Sequence, residues 1–193
     1  RSPSSATTAP PSSSSSSSSS VVAVVIEDFE DGDSLSKWMG PWFTYTDAAN
    51  SGASTVSPTS PFLPVSGGTT TSPLYSGRIS YTLHKGSLPV STNPFVGFGV
   101  NIRQDTLAHN LSSCTQIAFQ YKGSEARFRV ETSPVADFDY HGITLAAAAS
   151  WTPVTIQWAD LLQQGWGDAV TLDKTKVKKF SWQVQGADNT TGT

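Results

Sequence analysis

The chain has 193 residues, of which only 14% are charged, and a formal net charge of −3 at pH 7. This weakly acidic balance argues against nucleic acid as a partner, because nucleic-acid-binding proteins need a clustered basic surface. The one basic run, KTKVKK at 174–179, is interpreted as a solvated approach to a strand. No apolar stretch is long enough to span a bilayer, so we expect no membrane partner either.

Residues 1–20 read RSPSSATTAPPSSSSSSSSS and contain no apolar run. Such a segment cannot bury enough surface to offset the entropy of ordering, so it predicts a flexible linker. Residues 21–193 are sufficient for one domain with a sizeable core. The linker predicts a covalently attached neighbour upstream, and its composition favours a secreted or cell-surface enzyme. Cys114 is the only cysteine, which excludes an internal disulfide and leaves secretion open.

Short runs in which apolar residues alternate with other residues dominate residues 77–185, and turn-forming residues separate them. This period of two is typical of half-buried β-strands. The runs are GRISYTLH (77–84), FVGFGVNIR (95–103), QIAFQYK (116–122), ARFRVET (126–132), WTPVTIQW (151–158) and KFSWQVQ (179–185). VVAVVIEDF (21–29) is more uniformly apolar and predicts an opening strand covered on both faces.

Helix is indicated only weakly, in ADLLQQG (159–165) and SLSKW (34–38), and both segments are too short to shape the architecture. The sequence therefore predicts an all-β domain, a β-sandwich or jelly roll.

The outward positions of the predicted strands carry planar amide and guanidinium groups. These groups offer paired donors and acceptors that suit the vicinal hydroxyls of a sugar, although a plain polar surface is an equally open interpretation. The positions are Gln120, Arg127, Arg129, Glu131, Gln157, Gln183 and Gln185.

Aromatic residues are concentrated in loops flanked by Gly and Pro or at outward strand positions. Large exposed rings are costly without a partner, and flat rings suit the apolar faces of pyranoses. The alternative for each ring is packing beneath its own loop. The residues are Trp42, Phe43, Tyr45, Phe95, Tyr140 and Trp166.

The segment DFDYHG (137–142) has the residue types of acid–base machinery. A glycosidase needs two suitably spaced carboxyl groups, however, and none of the four glutamates pairs with another acid at alternate strand positions. Adjacent acids such as Asp137 and Asp139 are usually turn formers. No nucleophile motif accompanies His141, and the three histidines lack metal-ligand spacing. We therefore expect no catalytic residue. The alternative is a glycoside hydrolase with an unrecognised acid pair.

The segment IEDFEDGD (26–33) brings several hard oxygen ligands close together in sequence. Asp28 and Glu30 are candidate ligands of a structural calcium ion, with a simple acidic turn as the alternative.

The segments IEDFEDGDSLSKW, SGRISYTLHKG, FVGFGV, CTQIAFQYKG, ARFRVETS and WTPVTIQWADL together resemble the family 11 carbohydrate-binding modules. More loosely, they are similar to sandwich domains related to complex I intermediate-associated proteins, which leaves a protein-interaction role as an alternative. The resemblance extends from about Val21 to Thr193. It implies a calcium-containing jelly roll, attached to a cellulase, that binds a single β-1,4- or mixed-linkage β-1,3-1,4-glucan chain in a concave cleft without cleaving it.

The resemblance also implies positions for the cleft. Aromatic ligand contacts of the family fall near 42–45 and on Phe95. An Asp-Tyr pair of the family falls on Gly165 and Trp166, so the acid is absent, and Gln183 stands near the place of a tyrosine. We expect DFDYHG at the rim of the cleft, with Asp139 and Tyr140 contacting sugar. The closing strand of the family is expected to be missing after GADNTTGT.

The expected carbohydrate-binding residues are therefore Trp42, Tyr45, Phe95, Arg127, Arg129, Asp139, Tyr140, Trp166 and Gln183.

Overall fold

The computed structural model describes residues 24–193, and the linker predicted for residues 1–20 lies outside this range. The described part contains twelve strands, three single-turn 3₁₀ helices and no α-helix. The 3₁₀ helices are Asp47–Asn50, Trp158–Asp160 and Lys174–Lys176. Within residues 24–193, no helix has the length and apolar character needed to cross a membrane.

Five strands form the larger sheet, and every neighbouring pair is antiparallel. In sheet order, the strands are β1 (Trp42–Thr46), β6 (Phe95–Asn101), β11 (Val177–Gln185), β8 (Ala126–Thr132) and β9 (His141–Leu145).

The opposing layer consists of two smaller sheets and a short ribbon. One sheet pairs β7 (Gln116–Gly123) with β10 (Ala148–Gln157). The other places β5 (Ser80–Thr82) between β2 (Thr55–Ser57) and β12 (Thr191–Gly192). The ribbon pairs β3 (Val65–Ser66) with β4 (Tyr75–Ser76). The prediction of an all-β sandwich of jelly-roll type is confirmed.

The core lies between the two layers because the alternation predicted from the sequence points apolar side chains inward. Along β6, Val96, Val100 and Ile102, the residue that follows the strand, are at most 1% exposed. Trp182 of β11 also points inward, and its ring centroid lies 5.2–5.3 Å from those of Phe128 and Phe119. Since Phe119 belongs to β7, these rings join the layers.

A cavity of about 1440 Å³ is lined by residues of β5 and β7 and by inward-facing residues of the five-stranded sheet. Ile79, Tyr81 and Phe119 are among its lining residues, and Val24 and Val25 stand beside it, about half exposed. The opening strand predicted for 21–29 is not present in its described part, since residues 24–29 have no strand pairing. The expected absence of a closing strand stays a prediction.

Trp42 lies in the core, so its expected place among the exposed carbohydrate-binding rings is wrong. It is 6% exposed and stacks on Phe98 and Trp182, with centroid distances of 6.0 and 6.1 Å. The reason is strand alternation: Trp42 pairs with the inward-facing Val100, whereas Tyr45 pairs with Gly97 on the outward side. An indole that is 6% exposed and stacked on two core rings cannot form part of the outward face of the sheet.

We expect Trp42→Ala to lower the free energy of unfolding by about 3–5 kcal/mol, because it removes a large buried ring and leaves a cavity. Trp166→Ala is the control: this ring is 61% exposed, so its removal should change stability by no more than about 0.5 kcal/mol. Urea denaturation of both variants measures the difference. Equal effects would contradict the assignment of Trp42 to the core.

Candidate functional site

Two glycines form the floor of the outward face of the five-stranded sheet. Gly97 and Gly99 of β6 are flanked by Tyr45 and Phe43 of β1. A Cβ atom on Gly99 would lie 2.8 Å from Cζ of Phe43, and one on Gly97 would clash with the ring and hydroxyl of Tyr45. Any other residue at Gly97 would displace the ring of Tyr45, and any other residue at Gly99 would displace that of Phe43. The glycines therefore allow the aromatic side chains to lie against the strand backbone.

Arg129 of β8 connects the aromatic side chains of this face. Its guanidinium carbon lies 5.6 Å from the ring centroid of Tyr45 and 5.5 Å from that of Tyr140. Its Nη2 donates a hydrogen bond to the Tyr45 hydroxyl at 3.0 Å, and that hydroxyl donates to Oε1 of Gln183 at 3.4 Å. The cation is thus held between two rings and fixed by a hydrogen bond to one of them.

The contacts continue to the other edge of the sheet. The ring centroid of Tyr45 lies 6.5 Å from that of Phe95 and 6.2 Å from that of Phe43. Because β9, β8, β11, β6 and β1 are successive neighbours, this set of side chains crosses the strands rather than following one of them. We call the set the aromatic line, and it consists of Phe43, Tyr45, Phe95, Arg129, Tyr140 and Gln183.

The aromatic line offers hydrogen-bonding groups of several kinds beside its rings. Burial raises the pKa of Tyr45 and raises that of Tyr140 to about 12, so both hydroxyl groups stay protonated at neutral pH. Within residues 24–193, Arg129 makes no salt bridge, whereas Glu131 of the same strand pairs with Lys179 at 3.4 Å. The face therefore offers hydroxyl groups, an amide and a guanidinium group beside flat rings.

Five of the residues expected from the sequence meet on this face, namely Tyr45, Phe95, Arg129, Tyr140 and Gln183. Arg127 lies beside them on β8, opposite Gln183. Its Nη2 donates to the backbone carbonyl of Leu162 at 2.6 Å, so its head group is used to hold a loop. Gln120 and Gln157 belong to β7 and β10, and they do not share this face.

Asp139 is a buried structural carboxylate, so the expected contact between Asp139 and sugar is wrong. It is 1% exposed, and its two oxygens accept four backbone N–H groups at 2.8–3.1 Å. The donors are Gln164, Gly165, Trp166 and Gly167. Burial alone would raise the pKa of Asp139, but these four donors lower it below its ordinary value. At 1% exposure, this carboxylate is out of reach of a ligand.

Asp137 and Gln163 complete this arrangement around the loop. Asp137 accepts the N–H groups of Asp139 at 3.0 Å and Asp168 at 2.5 Å. The side chain of Gln163 donates to the backbone carbonyls of Asp139 and Asp168 and accepts from the N–H of Val170. We call this set of hydrogen bonds the loop clamp. It holds residues 163–168 at the edge of β9, where Leu162 also pairs with Gly142.

The clamp presents two aromatic rings to solvent, Trp166 at 61% and Phe138 at 67% exposure. Trp166 was expected in the site, whereas sequence reasoning missed Phe138. The signal that could have found it is its place between Asp137 and Asp139, two acids of the kind that form turns. His141, the other candidate of this segment, is 5% exposed, and burial lowers its pKa. It is a neutral core residue at neutral pH.

The acidic opening segment gives little support to the expected calcium site. Asp28 forms a salt bridge with Lys37 at 2.9 Å, and the carboxylate of Glu30 accepts the N–H of Leu74 at 3.1 Å. Across residues 24–193, no group of three His, Cys, Asp or Glu side chains is placed to hold an ion. A lysine ammonium beside Asp28 disfavours a second cation there. Calcium binding by Asp28 and Glu30 stays a prediction, and the donor set fits it poorly.

The chain is similar in sequence to Endoglucanase 3 of Fibrobacter succinogenes, with 31% identity over 166 residues. The match covers 84% of this chain but only 24% of that protein, so the chain spans about a quarter of its relative's length. No protein-family model matches the chain.

Two solved structures from Clostridium thermocellum share the fold. One is the family 11 carbohydrate-binding module of the cellulosomal cellulase Lic26A-Cel5E, with a TM-score of 0.58, 19% identity and 90% coverage of both chains. The other is a family 11 carbohydrate-binding module in complex with a β-1,3-1,4-mixed-linked tetrasaccharide, with a TM-score of 0.54 and 18% identity. That match covers 78% of this chain and 82% of the other. The resemblance to family 11 carbohydrate-binding modules is confirmed in the fold.

Proposed function

We propose that this domain is a non-catalytic carbohydrate-binding module that binds a single β-1,4- or mixed-linkage β-glucan chain across the five-stranded sheet. The observation that carries the proposal is the position of Arg129 between the rings of Tyr45 and Tyr140. Flat rings match the apolar faces of glucose residues, and the guanidinium group between them can donate to ring hydroxyls. Such alternation of stacking and hydrogen-bonding groups suits a repeating polymer.

The carboxylates near the aromatic line argue against hydrolysis by this domain. Among the outward strand positions of the five-stranded sheet, Glu131 is the only acid, and it is 7% exposed and paired with Lys179. Asp137 and Asp139 accept backbone N–H groups in the loop clamp. A glycosidase needs one carboxyl group to protonate the leaving group and a second that is free to act on the other side. This arrangement supports binding without cleavage.

We further propose that the domain is attached through residues 1–20 to a secreted glycoside hydrolase of the cellulase type. The name of the Fibrobacter relative and its much greater length support this proposal. A bound module keeps its catalytic partner at a high effective concentration on the polymer, at a value set by the linker. The calcium ion predicted at Asp28 and Glu30 is a structural one and stays a prediction.

The isolated domain should be retarded by mixed-linkage β-glucan in affinity electrophoresis and should release no reducing sugar from it. Hydroxyethyl cellulose tests the β-1,4 linkage, and xylan and mannan serve as comparison polymers. Release of reducing ends that disappears in Asp137→Asn would favour the hydrolase alternative. No retardation by any polysaccharide would favour a protein-interaction domain.

Arg129→Ala should weaken glucan binding by about five- to thirtyfold, equivalent to about 1–2 kcal/mol. The substitution removes donors for the ligand and also the hydrogen bond that holds the Tyr45 hydroxyl. Arg103→Ala is the matched control. Arg103 is an exposed arginine paired with Asp105, and nothing connects it to the aromatic line. Isothermal titration with a soluble β-glucan measures both variants. Equal affinities of Arg129→Ala and the wild type would contradict the proposed site.

Asp139→Asn should lower both the melting temperature and glucan affinity. The amide keeps the shape of the carboxylate, but it is a weaker acceptor for four N–H groups, and we expect a loss of about 1–3 kcal/mol in stability. Asp168→Asn is the control, since that side chain is exposed in the same loop and the net charge changes equally. Thermal melts and titrations of both variants make the comparison.

The effect of Asp139→Asn should also depend on pH. The folded-state pKa of Asp139 lies below the ordinary value of 3.8, so its stabilisation is present above that value and is lost as the pH falls towards the folded-state pKa. The melting temperatures of the wild type and Asp139→Asn should therefore converge at acidic pH. A constant difference between pH 7 and pH 2 would contradict the role of the ionised carboxylate.

A further inference from the structure

Phe138 is an exposed ring on a fixed backbone. It is 67% exposed, and its φ angle of 70° lies in the left-handed region. On one side, Asp137 accepts the N–H groups of Asp139 and Asp168. On the other side, Asp139 is buried and holds four N–H groups of the loop clamp. The backbone of Phe138 is therefore held by the hydrogen bonds of its two neighbours.

Folding alone does not account for a phenylalanine at this position. A residue with a bulky side chain in the left-handed region is rare and is strained relative to its ordinary conformations. Glycine or asparagine would adopt the same backbone with less strain. The exposed ring gains little burial in return. A residue that costs stability and is held outward by its surroundings indicates a role towards a ligand.

The ring of Phe138 continues the aromatic line. Its centroid lies 6.1 Å from that of Tyr140, with the two ring planes 86° apart. Tyr140 in turn contacts the guanidinium of Arg129 at 5.5 Å. Phe138 therefore stands one ring further out, at the edge of β9, and a glucan chain that follows the aromatic line in this direction reaches it after Tyr140.

We propose that Phe138 forms an outer subsite that binds one additional glucose residue of a long β-glucan chain. This inference rests on the proposed function and deepens it. The inner part of the aromatic line holds the chain, and Phe138 contacts only chains long enough to extend past Tyr140. The domain then discriminates between glucans by length, preferring polymers and long oligosaccharides over short ones.

Isothermal titration of Phe138→Asn with β-glucan oligosaccharides of three to six glucose residues tests the subsite. The affinity for the trisaccharide should be unchanged, and the affinity for the hexasaccharide should fall by about three- to tenfold, because one ring contact is lost. The melting temperature should stay the same or rise, because asparagine relieves the backbone strain. The substitution should therefore lower the affinity for the hexasaccharide without lowering the melting temperature.

Thr106→Asn is the matched control. Thr106 is also exposed with a positive φ of 57°, but it carries no ring and lies outside the aromatic line. Its replacement should leave the affinity for every oligosaccharide unchanged, with the same or a higher melting temperature.

Three outcomes would overturn the proposal. Equal affinities of Phe138→Asn and the wild type at every length would show that the ring has no ligand contact. A similar loss for the trisaccharide and the hexasaccharide, or an earlier melt, would show that the ring supports Tyr140 instead. No binding by the wild-type domain at any length or to polymer would remove the proposed function itself, which is distinct from a failure of the subsite alone.

Discussion

The bare outward side of β6 is the constraint on which the candidate site depends. Gly97 and Gly99 leave the space that Tyr45 and Phe43 occupy, and a Cβ at either position would push a ring away from the sheet. With Tyr45 low against the strand, its hydroxyl reaches both Gln183 and Arg129. The hydrogen bonds that order the aromatic line are therefore a consequence of two missing side chains in its floor.

Buried carboxylates organise the loops at both edges of this sheet. At the β9 edge, Asp139 gathers four N–H groups of the loop that carries Trp166. Near the β1 edge, the fully buried Asp47 accepts the N–H and hydroxyl of Ser54 and the N–H of Phe95, at 2.7–3.0 Å. Each carboxylate replaces water as the acceptor for backbone donors that would otherwise be unsatisfied. Each also fixes the backbone beside an aromatic residue of the proposed site.

The sequence predicted the sandwich because period-two alternation is a local property that survives folding. Val96, Phe98 and Val100 point inward as their spacing indicates. The same alternation, extended to β1, places Trp42 inward and Phe43 outward. Asp139 could not be assigned in this way. Its role depends on N–H groups that are 25–28 residues away in sequence, and only the tertiary fold brings them to its carboxylate.

The residue types of the site could be predicted from the sequence, but the particular residues that meet there could not. Arg129, Gln183 and Tyr45 were expected because planar polar groups and rings suit sugars, whereas the contact of one guanidinium with two rings requires the strand order β9-β8-β11-β6-β1. Phe138 was missed because its exposure follows from a positive φ between two inward-turned acids, a conformation that composition does not indicate.

The proposed surface has an inner part whose side chains are held by hydrogen bonds and an outer part whose rings are exposed. Arg129 and Tyr45 are already held by each other and by Gln183, so a ligand would pay little of the roughly 0.5–1.5 kcal/mol that immobilising such a side chain costs. Trp166 and Phe138 have fixed backbones but rings that are mostly exposed. Under the proposed function, the inner groups set the register of the glucan chain, and the outer rings add contact area without defining it. Loss of an inner group then weakens the binding of every chain, and loss of an outer ring weakens the binding of long chains only.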